Sequence, residues 1–166
     1  DLHLHPERRD VGPGRVLAQA QKESRGLRRG YIVNFEETLG ALRDTVAEAE
    51  RQAKTKIKSV TLGVGGIGLE AKTAEGGVAV STADLTISAT DIGRAVEASE
   101  ANVTGLANRR IIHSLPLGFK LDGKKILGRP EDMTGSKLEV KTLFIHCLEQ
   151  HLNDLVRAAT SARLEV

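Results

Sequence analysis

Cys147 and His151 stand four residues apart, a spacing that puts two side chains on one face of a helix, and a thiol beside an imidazole is the smallest arrangement able to make a nucleophile. The periodicity of the C-terminal segment places both on the last helix. No third polar group stands at a spacing that would orient the imidazole, so the pattern favours Cys147 near the core and His151 near solvent. His146 falls on another side of such a helix, His3 and His5 lie near the start, and His113 sits on the apolar face of a strand as a hydrogen-bonded core histidine. A zinc site would need these distant groups to converge. Glu36, Glu37, Asp44, Glu48 and Glu50 line the outside of one helix, where solvent is their natural partner. No catalytic residue, metal ligand or cofactor-binding residue is assigned.

Two short stretches have the look of phosphate sites. In GVGGIG, Gly63, Gly65 and Gly68 have the spacing of a dinucleotide-binding turn, which needs a strand before it and a helix N-terminus after it. The next residues, LEAKTAEGGVAV, read as a strand and a turn, so no helix is available for a phosphate. The glycines fit a bulge better: Val60, Leu62 and Val64 share one parity, Ile67, Leu69 and Ala71 the other, and an extra residue at Gly65-Gly66 restores the phase. Thr90-Asp91-Ile92-Gly93 carries an Asp-x-Gly phosphate pattern. Here Thr90-Asp91 reads as a helix cap, with Ile92, Ala95 and Val96 as the inner face of the helix it opens.

Positioning these residues falls to a chain of 166 residues, enough for one domain of ordinary size, whose 40% hydrophobic content suffices for a core. With three Phe, one Tyr and no Trp, that core is aliphatic. The net charge of +2 demands no polyanionic partner. Arg8-Arg9, Arg28-Arg29, Arg109-Arg110 and Lys124-Lys125 are isolated pairs without interleaved aromatic rings, which suits solvated strand ends rather than a nucleic-acid surface. One cysteine excludes an internal disulfide, and neither a bilayer-length apolar run nor a signal-peptide pattern is present, so a cytoplasmic location is expected. The chain opens at Asp1 rather than Met, as a piece of something longer would.

Along the chain, residues 1–25 form a lead-in holding a short strand or edge segment, RVLAQAQ. RRGYIVN has strand character, and Asn34 with Glu37 three positions later caps a helix whose Phe35, Leu39, Leu42, Val46, Ala49 and Ala53 make one apolar stripe. TAEGG, residues 73–77, reads as a hairpin turn returning through Val78 and Val80. Residues 111–121 alternate as a long strand with one buried face, Pro116 marking an edge or bulge and Asp122-Gly123 a turn. KLEVKTLF alternates again before Leu148, Leu152, Leu155, Val156 and Ala159 return to helical spacing, and LEV begins a further strand. The expected fold is α+β, a small, mostly antiparallel sheet with helices packed on one face.

With these elements placed, SRGLRRGYIVNFEETLGALRDTVAEAE, RRIIHSLPLGFKLDGKK and GRPEDMTGSKLEVKTLFIHC resemble, in order, segments of the bacterial actin-like division protein family FtsA. Met133, Gly135, Leu138 and Glu139 fit that family's proline-G-M-x-G-x-x-L-E pattern, and the similarity covers residues 24–166. Glu131-Asp132 departs from a more apolar pair before the Met, and GGIGL from a Ser-Gly-x-His-Ile strand.

The resemblance implies an inserted strand-helix-strand-strand (SHS2-type) subdomain, with residues 1–25 the remnant of a preceding subdomain and 26–166 the interaction domain. It implies protomer contacts in an FtsA-like scaffold, recruitment of division proteins, and FtsZ reached through the full-length protein at the inner face of the cell membrane at the division site. ATP and magnesium belong to the flanking subdomains; DLHLHPERRDVGPG lacks the look of the family's first phosphate loop, and the second is expected after Val166. Hence no enzyme activity, nucleic-acid partner or direct membrane contact is expected of this chain. Exposed strand edges or the outer sheet face would dock a neighbour, with Arg28 and Arg29, the hairpin at Glu75 and Gly76, and the loop holding Arg129, Glu131, Asp132 and Met133 as the partner-binding residues, their backbone groups available. The runner-up is the equivalent module of a pilus-assembly actin-like ATPase, and a different class is a small cysteine-dependent enzyme using Cys147 and His151.

Overall fold

The computed structural model describes residues 15–166. Arg8-Arg9, His3, His5 and most of the expected lead-in therefore lie outside the described residues. Two tight turns have the backbone that two-residue hairpins require. Arg29 and Gly30 take φ of 52° and 88° between β1 (Leu27–Arg28) and β2 (Tyr31–Ile32). Asp122 and Gly123, at 49° and 78°, do the same between β4 (Arg109–Leu121) and β5 (Lys124–Ile126). The remaining elements are α1 (Phe35–Ala53), β3 (Glu70–Ala79), α2 (Ala89–Ala101), β6 (Lys137–Leu148) and α3 (Glu149–Ser161). They fall into two compact units: residues to Leu27 with Val33–Thr61 and Arg157–Val166, and Arg28–Ile32 with Leu62–Val156.

The first unit is built on α1. Asn34 accepts a hydrogen bond from the Glu37 amide at 3.3 Å, satisfying one of the amides that a helix start leaves free, and Lys54 ends the helix in the left-handed region. Leu39, from the predicted stripe, is buried here, as are Ala158, Ala159 and Leu164. The Arg157 guanidinium lies 4.3 Å over the Phe35 ring, and Arg43 donates to the Ser161 carbonyl at 2.8 Å. Glu165 makes a parallel bridge to Ser59, which is as far as the expected strand at LEV extends. RVLAQAQ has no regular structure, and its Val16 and Leu17 are exposed; too few partners face it for a strand to form.

The second unit holds an antiparallel sheet in the order β3-β6-β4-β5, with α2 against β3 and β6. Alternate residues of β6, Leu138, Val140, Thr142, Phe144 and His146, are buried, and Leu138 and Val140 join Val80, Ile87, Ile92, Ala95, Phe119 and Leu121 in one aliphatic cluster. Each large side chain buried this way contributes about 1.5–3 kcal/mol. Mixed α+β architecture with α2 on one sheet face agrees with the expected fold class.

Three local expectations are overturned. TAEGG is no hairpin turn: residues 73–77 run through the middle of β3, in register with Leu143 to Glu139 of β6. Gly76 is there because the backbone of Ala98 and Ser99 in α2 occupies the space a side chain would fill. Residues 62–69 form no bulged strand but a loop ahead of β3, turning at Gly66 with φ 109° and closed by the Leu69 amide on the Gly66 carbonyl at 3.2 Å. In β4 the register slips twice, between Ile111 and His113 and between Pro116 and Gly118. Each extra residue inverts the side-chain parity, so His113 and Leu115 emerge on the exposed face and no single face of the strand is buried. Pro116 stands at a bulge, and because β5 pairs only with Phe119–Leu121 it also lies where β4 has no second strand neighbour, as expected of it.

Candidate functional site

Cys147 does not share a helix with His151. It is the penultimate residue of β6, fully buried, and α3 starts only at Glu149. Burial pushes its thiol pKa up, the direction opposite to an activated nucleophile. His151 is buried too, contrary to the solvent position expected of it: Nε2 is 2.9 Å from the Gly65 carbonyl, and its ring lies 4.4 Å from that of Tyr31.

His151 belongs to a clamp on the glycine loop. Gly66 packs on Gly30 and on the Tyr31 ring, and the Tyr31 hydroxyl stands where a side chain at Gly68 would start. Arg109 completes the clamp by donating from Nη2 to the Gly68 carbonyl at 2.6 Å. Gly66 and Gly68 of GVGGIG thus admit protein groups rather than a pyrophosphate.

Arg109 is not a solvated strand end. Its Nε donates to Nδ1 of His146 at 2.7 Å and its Nη2 lies 3.0 Å from a Glu70 carboxylate oxygen. His146 is a strand residue of β6 with no exposed surface, held neutral because burial, reinforced by the Arg109 charge, lowers its pKa. An acceptor at Nδ1 leaves the proton on Nε2, and that atom has no partner among the described residues. Sequence spacing missed this pair; the alternation of β6, continued to His146, was the available signal. Among the described residues no group of three His, Cys, Asp or Glu could hold a metal ion.

Asp91 caps, as expected, but the N-cap residue is Ser88. The Ser88 hydroxyl accepts from the Asp91 amide at 3.2 Å while the Asp91 carboxylate accepts from the Ser88 amide at 3.0 Å and hydroxyl at 2.6 Å. Ser81 adds a hydroxyl bond of 2.9 Å. The Ser88 and Ser81 donors hold this carboxyl well below the usual carboxylate range.

The eight residues singled out for partner contact all fall in the second unit, on separate elements. Arg28 and Arg29 are exposed on the first hairpin, and Glu75 is exposed in mid-β3, 3.4 Å from the Lys120 ammonium. Gly76 faces α2 instead of solvent. Arg129, Glu131, Asp132 and Met133 are exposed on one loop around buried Pro130. The amides of Asp132 and Met133 are already used, however. The Asp132 amide donates to Ile87, Ile87 donates back to Met133, Met133 to Pro130 and Gly135 to Leu85, at 2.9–3.0 Å. The side chains of Arg129, Glu131, Asp132 and Met133 are what they hold out to a partner.

No helix among the described residues is long and apolar enough to cross a membrane. Residues 66–146 match the family model for the SHS2 domain inserted in FtsA. The chain is 30% identical over 166 residues to the cell division protein FtsA of Borreliella burgdorferi, covering all of this chain and 38% of that protein. The FtsA of Pseudomonas aeruginosa is 29% identical over 161 residues, 92% of this chain and 38% of the relative, and that of Bacillus subtilis 30% over 151 residues, 91% and 34%. The chain thus spans 34–38% of the length of these relatives. With β3, α2, β4, β5 and most of β6 inside the matched segment, residues 66–146 are an SHS2 domain of the kind inserted in FtsA, in a chain similar to FtsA cell division proteins over most of its length.

Proposed function

We propose that this chain is an assembly module of an FtsA-like scaffold, making contacts between neighbouring protomers and recruiting division proteins at the inner face of the cell membrane at the division site. The observation carrying this is the loop from Arg129 to Met133. Asp132, Met133 and Gly135 bond to the backbone of residues 85–87, so Asp132 and Met133 project from a fixed frame next to Arg129 and Glu131, and less ordering entropy remains to be lost on docking. Arg28, Arg29 and Glu75 add exposed charge elsewhere on the same unit.

The module works by presenting surface and carries no reaction centre of its own. ATP with magnesium belongs to flanking subdomains, FtsZ is reached through the longer protein, and this chain meets neither nucleic acid nor the membrane directly. The relatives' name, cell division protein FtsA, supports a division system over a pilus system. Sedimentation of the chain over a concentration series tests the proposal: self-association is expected, and Arg129→Ala with Glu131→Ala should weaken it. Unchanged association in that double variant removes the loop from the surface. A saturable rise in Tm with ATP and magnesium would overturn the claim that no nucleotide site is present.

A further inference from the structure

The face of the sheet turned away from α2 is shaped by the two register slips in β4. The first slip, between Ile111 and His113, already turns Leu115 and Leu117 outward, at 46% and 57% exposure, and the second, between Pro116 and Gly118, leaves Leu117 without a partner on β6. Gly118 comes next, with no side chain and nothing within 4 Å of where one would be. A groove of about 240 Å³ results, lined by Leu117 and Gly118 and rimmed by Lys120, Lys125 and Lys141 with Glu75 and Glu139. That is smaller than the roughly 300–1,000 Å³ of a small-molecule pocket, so the groove fits part of a polypeptide rather than a whole ligand.

Its charges are unevenly matched. Glu75 already pairs with Lys120 at 3.4 Å, and Glu139 with Lys137 at 3.1 Å. Lys125 and Lys141 have no carboxylate partner among the described residues, so the rim holds cationic charge awaiting a counterpart beside an apolar floor. The apolar floor gives a polyphosphate no partner, a recessed groove does not match a flat anionic membrane, and Phe119, an aromatic residue of the lining, is buried where no base can stack on it. We infer that this groove docks an extended protein segment bearing carboxylates next to an aliphatic side chain, the aliphatic group on Leu117 and Gly118 and the carboxylates on Lys125 and Lys141. This rests on the assembly-module reading and names the chemistry of one partner.

The test uses a labelled peptide alternating Glu and Leu, its Lys-for-Glu counterpart, vesicles of phosphatidylserine and phosphatidylcholine, and a single-stranded oligonucleotide, each titrated into the chain. The acidic peptide is expected to bind, to weaken as salt rises, and to shift NMR signals of Leu117, Gly118, Lys125 and Lys141. Lys125→Glu with Lys141→Glu should weaken it by about tenfold or more, because the rim attraction becomes repulsion. Leu117→Ser should weaken it with the salt dependence retained. Equal binding of the two peptides, or tighter binding of vesicles or oligonucleotide at the same residues, overturns the proposal. The Lys125/Lys141 variant should leave loop-dependent self-association intact, so a failed groove and a failed assembly module give different results.

Discussion

Alanine at Gly76 is expected to dislodge α2 from the sheet. A Cβ at that position comes within 2.5 Å of the Ala98 carbonyl carbon and the Ser99 Cα, whereas carbon atoms pack best at about 3.5–4.0 Å. The helix must therefore retreat by roughly 1 Å, and a gap of that size forfeits up to about half of each dispersion contact it opens. Ile92 and Ala95 loosen against the aliphatic cluster, and the buried hydrogen bond from Ser99 to Thr142, 2.9 Å between hydroxyl oxygens, stretches with them. Overpacking costs about 1–3 kcal/mol and the lost bond about 1, while replacing a flexible glycine returns about 0.5–1. The net is about 1–3.5 kcal/mol, or a Tm lower by roughly 2–14 °C in a chain of this size. Urea unfolding followed by circular dichroism reads it, with Gly93→Ala as the control: Gly93 lies on the open side of α2 with nothing within 4 Å, and there alanine should stabilise by about 0.5–1 kcal/mol. A Gly76→Ala chain within about 0.5 kcal/mol of the parent would refute the close helix-strand contact.

Asp91→Asn should cost about 2 kcal/mol at neutral pH, because the carboxylate serves donors on both Ser88 and Ser81. Its folded pKa is depressed, so its contribution is complete above about pH 4 and drains as pH falls through the folded value; the gap between parent and variant must close on acidification, and a gap constant from pH 7 to about 2 refutes the assignment. His146 has the opposite protonation chemistry but the same sign: the unfolded chain takes up a proton near pH 6.5 that the folded site refuses, so stability falls as pH drops below that value. Nitrogen NMR should find its neutral Nε2–H tautomer at pH 6, and an imidazolium there contradicts the Arg109 bond. Cys147 should resist a thiol reagent at neutral pH until the chain unfolds; fast labelling of the native protein revives the cysteine-enzyme alternative.

Elements whose causes are local were legible. Asn34, Glu37 and the stripe through Leu39 lie within one segment, and α1 forms where they place it. Asp122-Gly123 is likewise a turn on its own terms, because its dihedral demand involves no distant residue. Gly76-Gly77 carries the same local signature as a turn, yet the demand it answers is set by Ser99, and nothing within residues 73–77 records that a helix will lie there. β4 failed differently. Strict alternation from Ile111 to Leu121 is real in the sequence, but two slips against β6 cut it into three phases, and register is decided by the partner strand. The same dependence misplaced Cys147: apolar spacing around Leu148 suits either element, and pairing of Arg110 with Cys147 extends β6 past the point where helical periodicity begins.

The surface was harder to foresee than the fold for a physical reason visible in the Met133 to Glu139 pattern. Gly135 is required because Leu121 fills the space beside it, and Leu138 lies in the core, so these pattern positions answer to packing. Arg129, Glu131 and Asp132 project from the same loop, where solvent tolerates many side chains, and Glu131-Asp132 is where the pattern breaks. Residues that make the family recognisable are thus those least able to report what docks on it. Leu117 is the exception that sequence could not flag: an apolar residue in an apolar strand looks like core, and only the slip between Ile111 and His113 turns it outward, beside Lys125 and Lys141. A docking residue of this kind is defined by a register defect, so the place to look for specificity in this module is where β4 and β6 fall out of step.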